Sequence, residues 1–373
     1  MKSTPLLGAV FAFLLLVPLA HALDPVVPKY KGTQLLVASA EQQGPDYLAF
    51  PALLETRPDE VLIAYKRGWS HGADKEATVE MLRFDPTRNV ITQRGVVAQE
   101  PGIIEQMGEW VRFPNGNIGV YFDVQAKGDD GRAYRAGMRE NRSTDGGRTF
   151  QGVRRSAMVD GVEYGYPFDF VVEGRTTYML VMAFGYRPGG RWSVDVIRSD
   201  DNGGSWHFVR NLSQEFGGHP INESAFMRYK DGFLVTTRGY DSHERLYRTD
   251  ATFHKLAEAD LTEANSFIES QIGRPRLFAR DGGVYLIGRN TRTTPEGNPM
   301  ELALFRLDPE ALAITRWVIL DNAERAKVTD GYYAVPYFHT IGDRTMLEVI
   351  TYKALNGKHP DILRLEYDWG EVR

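Results

Sequence analysis

Four short stretches of this 373-residue chain carry side chains able to do chemistry together. Glu223 stands in Asn222-Glu223-Ser224, flanked by Ile221 and Ala225, and Arg238 follows 15 residues later. A Glu on a strand between apolar neighbours faces an interior and needs a partner there. Arg238 can be that partner in a purely structural ion pair, or the two can serve a ligand together. Gly331-Tyr332-Tyr333-Ala334 offers two phenols, as nucleophiles or as ordinary strand aromatics. Asp74 lies in the polar loop Ser70-His71-Gly72-Ala73-Asp74-Lys75-Glu76, as a proton donor or a solvated turn residue. His71 in the same loop and His219, just before Pro220, are candidate bases or solvent-facing side chains. Glu163-Tyr164-Gly165-Tyr166 and Asp169 suit sugar hydroxyls and plain packing equally. Histidine pairs with zinc spacing, paired-aspartate loops, phosphate loops and dinucleotide fingerprints are missing, so no metal and no cofactor are expected.

The elements that must position these residues show in a repeat. An Arg is followed two or three residues later by an acid at Arg83-Phe84-Asp85, Arg142 to Asp145, Arg198 to Asp200, Arg248 to Asp250, Arg306 to Asp308 and Arg364 to Glu366. Successive arginines are 59, 56, 50, 58 and 58 residues apart. A period of this length signals stacked or radial copies of one small unit. A second series of turn signals runs in step with it, at 57–60, 114–117, 173–175, 230–232, 280–283 and 341–344. Strand-like runs such as Val61–Tyr65, Tyr178–Phe184 and Phe233–Thr237 flank these turns, which therefore read as hairpins. Two hairpins per repeat give four strands. Six such repeats predict an all-β, six-bladed β-propeller with four-stranded antiparallel blades and no substantial helix.

Two copies of the repeat are sharper than the rest. Ser143-Thr144-Asp145-Gly146-Gly147-Arg148-Thr149-Phe150 and Ser199-Asp200-Asp201-Asn202-Gly203-Gly204-Ser205-Trp206 share the form S-x-D-x-G-x-[ST]-[WF]. Asp holds nearby backbone N–H groups, Gly accepts positive φ, and the closing aromatic is expected to bury itself between sheets. The pattern resembles the Asp box of sialidase-like propellers, also called the BNR repeat, and implies that fold.

The resemblance extends to the candidate site. Tyr47-Leu48-Ala49-Phe50-Pro51 is similar to the opening strand of exo-sialidases, and Asp74 matches the loop Asp that acts there as acid/base. Glu223 and Arg238 match the family's inner-strand Glu and one of three arginines that hold the substrate carboxylate. Tyr333 is the better match to the nucleophilic Tyr, with Tyr332 the alternative. A neutral Tyr polarised by Glu avoids the repulsion that a carboxylate nucleophile would meet beside the anomeric carboxylate of sialic acid. The chain departs from the family pattern at Ala49, where the first arginine is expected, and near Pro299-Met300-Glu301-Leu302, where the third is expected. Arg67, Arg274, Arg276, Arg289 and Arg292 are the candidates to replace them, with His71 and His219 as further substrate contacts.

The resemblance thus implies an exported glycoside hydrolase acting on terminal sialic acid or a related sugar. Two alternatives use the same scaffold. A lyase for uronate-containing glycans would recast His71, His219, Tyr333 and Arg238 as base and carboxylate ligands, and a glycan-binding module would keep the fold without catalysis. Lys2, an apolar stretch over residues 6–19 and Ala20-His21-Ala22 form an expected secretory leader, residues 1–22, ahead of a single domain, residues 23–373. A secreted or periplasmic protein follows, with no membrane span in the mature chain. The chain has no Cys, so it folds without disulfides. Its formal net charge of −5 argues against a nucleic-acid partner and leaves a glycan as the expected one.

Overall fold

The computed structural model describes residues 23–128, 132–185, 192–292, 297 and 299–373. The expected leader lies outside the described residues. Six antiparallel sheets form a β-propeller. Blade 1 runs Tyr47–Arg57, Glu60–Gly68, Thr78–Asp85 and Val90–Ala98, from the innermost strand outwards. Blades 2 to 5 repeat that order, starting at Ile103, Tyr166, Ile221 and Gly273. Blade 6 is built from both ends of the chain. Val328–Gly331 and Val335–Ile341 share the innermost place beside Arg344–Leu355, Asp361–Asp368 comes next, and the N-terminal strand Gly32–Val37 completes the sheet.

Burial explains why each segment becomes the strand it does. The second strand of a blade is covered on both faces, so it reads as a continuous apolar run, as in Val61 to Tyr65 or Phe233 to Val235. The fourth strand faces solvent on one side and alternates, as Val90–Ala98 does. The apolar side chains divide into six clusters, each made mainly from two neighbouring blades, so the core is a ring of six seams. Helix is confined to short pieces such as Leu212–Glu215 and Leu261–Ala264, and among the described residues no helix is long and apolar enough to cross a membrane.

The repeated arginines lie near the ends of the third strands, and several clamp one blade to the next. Arg83 Nη2 donates to Gly146 O at 3.0 Å, Arg142 Nη1 to Asn202 O at 3.1 Å, and Arg364 Nη1 to Asn89 Oδ1 at 3.2 Å. The receiving turns at Gly146 and Asn202 belong to the two sharp repeats. In each, the Asp carboxylate accepts from backbone N–H and hydroxyl groups, with Asp145 taking Thr149 N at 2.9 Å and Asp201 taking Ser205 N at 2.8 Å. Trp206 packs at 5.9 Å from Tyr121, in the seam between blades 2 and 3.

Ring closure makes a testable demand on the N-terminal strand. Leu36 is 3% exposed in the seam between blades 6 and 1, whereas Leu35 beside it is 50% exposed. Leu36→Ala should cost about 2–4 kcal/mol in urea unfolding. Leu35→Ala should stay within about 0.5 kcal/mol.

Candidate active site

The innermost strands do not run straight to the axis. Register with the second strand slips between Ala49 and Ala52, Gln106 and Glu109, Pro167 and Asp169, Ile221 and Ser224, and Gly273 and Arg276. Phe50, Met107, Arg274 and Tyr332 take left-handed backbone at φ 58°, 54°, 47° and 66°. Bulges of this kind bend a strand and re-aim its side chains. Each left-handed non-glycine residue costs of order 1–3 kcal/mol and persists only where its surroundings over-determine it. Here the same irregularity recurs from blade to blade and turns Glu109, Asp169, Glu223, Arg274 and Tyr333 towards one another.

The result is a compact charged cluster. Glu223, 2% exposed, pairs with Arg238 through Oε2, accepts from Tyr166 OH at 2.8 Å, and accepts from Arg274 N at 3.1 Å. Arg238 Nη1 also donates to Tyr333 OH at 3.2 Å. The Arg289 guanidinium lies 4.8 Å from the centre of the Tyr333 ring and 3.6 Å from Asp330. Arg274 and Arg276 both bind Glu109, Arg274 at 2.7 Å, and Arg276 reaches Asp169 at 3.8 Å. Asp330 in turn accepts from Tyr47 OH and from Tyr352 OH at 3.0 Å, and meets His71 Nδ1 at 2.6 Å.

The structure therefore brings together Glu223, Arg238, Tyr333, Arg276, Arg289 and His71. It separates the others. Asp74 is fully buried instead of lying in a solvated loop, 2.5 Å from the equally buried Lys66, and its Oδ1 accepts from the N–H groups of Trp69 and Ser70. That carboxylate is committed to Lys66 through one oxygen and to the backbone of its own loop through the other. Tyr332 points the other way from Tyr333, into the seam between blades 5 and 6, where its OH donates to Asp321 at 2.8 Å. Arg67 is spent on Glu80, Pro45 O and Gln43 O. Arg292 lies against Trp317 and Glu269. His219 sits 3.6 Å from Glu258 on the outermost strand of its own blade.

Among the described residues, no arginine enters the site from near Pro299, which precedes the third strand of blade 5, Met300–Asp308. Blade 5 instead sets Arg289, on its second strand, against Tyr333. Arg289 is the seventh residue of Gly283–Thr291, Arg238 the seventh of Gly232–Gly239, and Lys66 the seventh of Glu60–Gly68. A base six positions beyond the hairpin turn, in Gly-x-x-x-x-x-Arg and Glu-x-x-x-x-x-Lys, was the sequence signal for this layer. Glu109 and Asp330 carried no local signal, since each is brought in from a different blade, and Tyr166 was legible only as part of the Glu163–Tyr166 stretch, without its partner Glu223.

Burial and charge set the protonation states. Burial pushes the Glu223 carboxyl up, but Arg238, Arg274 and Arg289 outweigh it and hold it at about 2. The Tyr333 phenol is raised, first by burial and then by Glu223, so it is neutral. Asp169 is pushed up to about 6 by burial, against the pull of Arg276. Behind Arg238, Glu244 is pushed up to about 8 by burial and is held by the hydroxyl of Thr236 and Ile272 N. Two groups bring three metal-ligating side chains within 4.8 Å of one another: His243, Asp260 and Glu263, and His339, Glu348 and Glu366. Both lie among the described residues, and each already has an arginine on its carboxylates, Arg245 on Asp260 and Arg364 on Glu348 and Glu366.

No family model and no curated protein matches this chain. Solved structures do. A protein of unknown function from Dyadobacter fermentans is similar at 16% identity over 91% of this chain and 98% of its own, with a TM-score of 0.69. The NanB sialidase of Streptococcus pneumoniae is similar at 10% identity over 93% of this chain and 71% of its own, with a TM-score of 0.64. The intramolecular trans-sialidase of Ruminococcus gnavus is similar at 11% identity over 92% and 98%, with a TM-score of 0.58. At such identities the likeness establishes the fold and nothing finer.

Two measurements check this electrostatic account. Lys66→Met leaves Asp74 buried without its counter-charge and should destabilise the chain by about 3–5 kcal/mol in denaturant unfolding. Glu244 binds its proton more tightly folded than unfolded, so its contribution is intact below the unfolded carboxyl pKa and is lost as pH rises towards about 8. Glu244→Gln should accordingly flatten the fall in Tm between pH 5 and pH 9, at about those two limits, relative to the parent chain.

Proposed function

We propose that this chain is an exported exo-glycosidase that releases a terminal sugar bearing a carboxylate at the anomeric carbon, sialic acid or a close relative. The observation that carries this reading is the meeting of Glu223, Arg238 and Tyr333 from blades 4 and 6 in one buried cluster, with Arg289 of blade 5 against Tyr333. The structural neighbours named as sialidases support the substrate class through the shared fold. The two sharp turn repeats are, on this reading, Asp boxes.

Each residue then has a task that its surroundings permit. Tyr333 attacks the anomeric carbon, and Glu223, ionised at neutral pH, takes the phenolic proton. A neutral nucleophile suits a carbon that already bears a carboxylate. Arg238 and Arg289 bind that carboxylate, each charge-assisted hydrogen bond contributing roughly 1.5–3 kcal/mol. Arg238 is engaged by Glu223. A substrate carboxylate competes for that guanidinium and loosens its hold on Glu223, so the base is released when substrate arrives. Ala49 and Phe50 give blade 1 an apolar wall in place of a third arginine, with Phe50 packed 5.6 Å from Tyr333.

Release of free sugar from an aryl sialoside tests the proposal. The parent chain should turn over, and Glu223→Gln should lose about 10²- to 10⁴-fold in kcat, the usual share of a general base. Tyr333→Phe should lose at least as much. A parent chain that releases no sugar, or variants that keep their rate, would overturn it.

A further inference from the structure

We infer that His71, oriented by Asp330, is the acid/base group of this site, in the role that Asp74 was expected to fill; the inference rests on the glycosidase reading above. A retaining reaction needs a group that gives a proton to the leaving oxygen and later takes one from water. That group must be exposed to substrate and lie near Tyr333. Asp74 fails the first condition, being 0% exposed behind Lys66. Cluster members Glu109 and Asp169 are held by Arg274 and Arg276.

His71 meets both conditions. Its side chain is half exposed, while its Nδ1 stands 2.6 Å from Oδ2 of the largely buried Asp330. Asp330 is anchored by Tyr47 OH, Tyr352 OH and Arg289, so it holds the imidazole in one orientation and leaves Nε2 free to face outwards. A carboxylate hydrogen-bonded to one ring nitrogen fixes a histidine's tautomer and orientation in this way. The dyad is also local to the chemistry. Phe50 touches both rings, 5.0 Å from His71 and 5.6 Å from Tyr333. Arg289 spans Asp330 and the Tyr333 ring. Lys66 reinforces the arrangement from below, donating to the backbone oxygens of Ser70 and His71 at 2.9 and 3.0 Å. The Lys66–Asp74 pair is on this account the brace of the His71 loop.

The protons balance without any further reactant. The His71 imidazolium gives its Nε2 proton to the glycosidic oxygen as the carbon–oxygen bond breaks and its electron pair stays on oxygen. Tyr333 Oη bonds to the anomeric carbon, and its proton passes to Glu223. Neutral His71 then takes a proton from the attacking water. Glu223 returns its proton to Tyr333 as the sugar leaves, and the cycle closes.

Leaving-group dependence separates an acid/base from a merely structural histidine. An aryl sialoside with a good phenolic leaving group needs little protonation, whereas sialyllactose needs it fully. For His71→Gln, kcat/KM on sialyllactose should fall by about 10²- to 10⁴-fold, while the aryl sialoside should lose less than about tenfold. Asp330→Asn, a positioning change, should show the same split in weaker form. Asp74→Asn should lower Tm and affect both substrates alike. Equal losses on both substrates for His71→Gln, or no loss, would overturn the inference while leaving the glycosidase reading standing, as would the leaving-group split appearing in a folded Asp74→Asn. A parent chain inactive on both substrates would overturn the glycosidase reading and this inference with it.

Discussion

Closure of the ring is the constraint on which everything else in this molecule depends. Gly32–Val37 pairs with Asp361–Asp368, so blade 6 exists only when the two ends of the chain meet. The candidate site straddles that joint. Phe50 and His71 belong to blade 1 and its loop, and Asp330 and Tyr333 to blade 6, with the ring contacts of Phe50 crossing the seam. A propeller left open there would lose a whole apolar seam as well as the contact between these residues. With no disulfides to close it, the chain relies on that seam and on clamps such as Arg364 to Asn89.

Around the axis the structure concentrates charge that water cannot reach. Glu109, Glu223, Arg274 and Arg276 are each under a tenth exposed, and a buried charge is tolerated only when opposite charge and hydrogen bonds compensate it. The compensation is spread over four blades: Arg274 binds Glu109 with its side chain and Glu223 with its backbone N–H. Such sharing keeps Glu223 ionised and Arg238 charged. On the proposed reading, an anion entering the site redistributes contacts that already exist, which is the pre-organisation expected of a site that stabilises charge.

Asp74 and His71 show how a loop can be legible in composition while the directions of its side chains are not. Both sit in one polar stretch, and nothing in the string of letters distinguishes the side chain that turns inwards from the one that turns out. The decision belongs to Lys66, which reaches Asp74 from the neighbouring strand and the His71 backbone oxygen from below. Tyr332 and Tyr333 pose the same problem. Both lie in the connection between Val328–Gly331 and Val335–Ile341, and only the tertiary structure, with left-handed backbone at Tyr332, settles which of them joins the cluster.

What the sequence by itself determined is the architecture. A period near 58 residues, turn signals in step with it, and apolar runs of strand length specify six blades because hairpins are encoded locally, within a few residues of each turn. The same locality made Glu223 and Arg238 legible as a pair, since they flank one hairpin. The identity of the third cation was readable only through its offset from a turn, which Arg289 shares with Arg238. Tertiary structure alone decided the rest: that Glu109 reaches two arginines more than 160 residues away, that Asp330 meets His71 across the closing seam, and that Asp74 is sealed under Lys66. Bulges and ring closure fix those encounters. Both arise from packing between blades, and no stretch of sequence encodes a contact whose two halves lie at opposite ends of the chain.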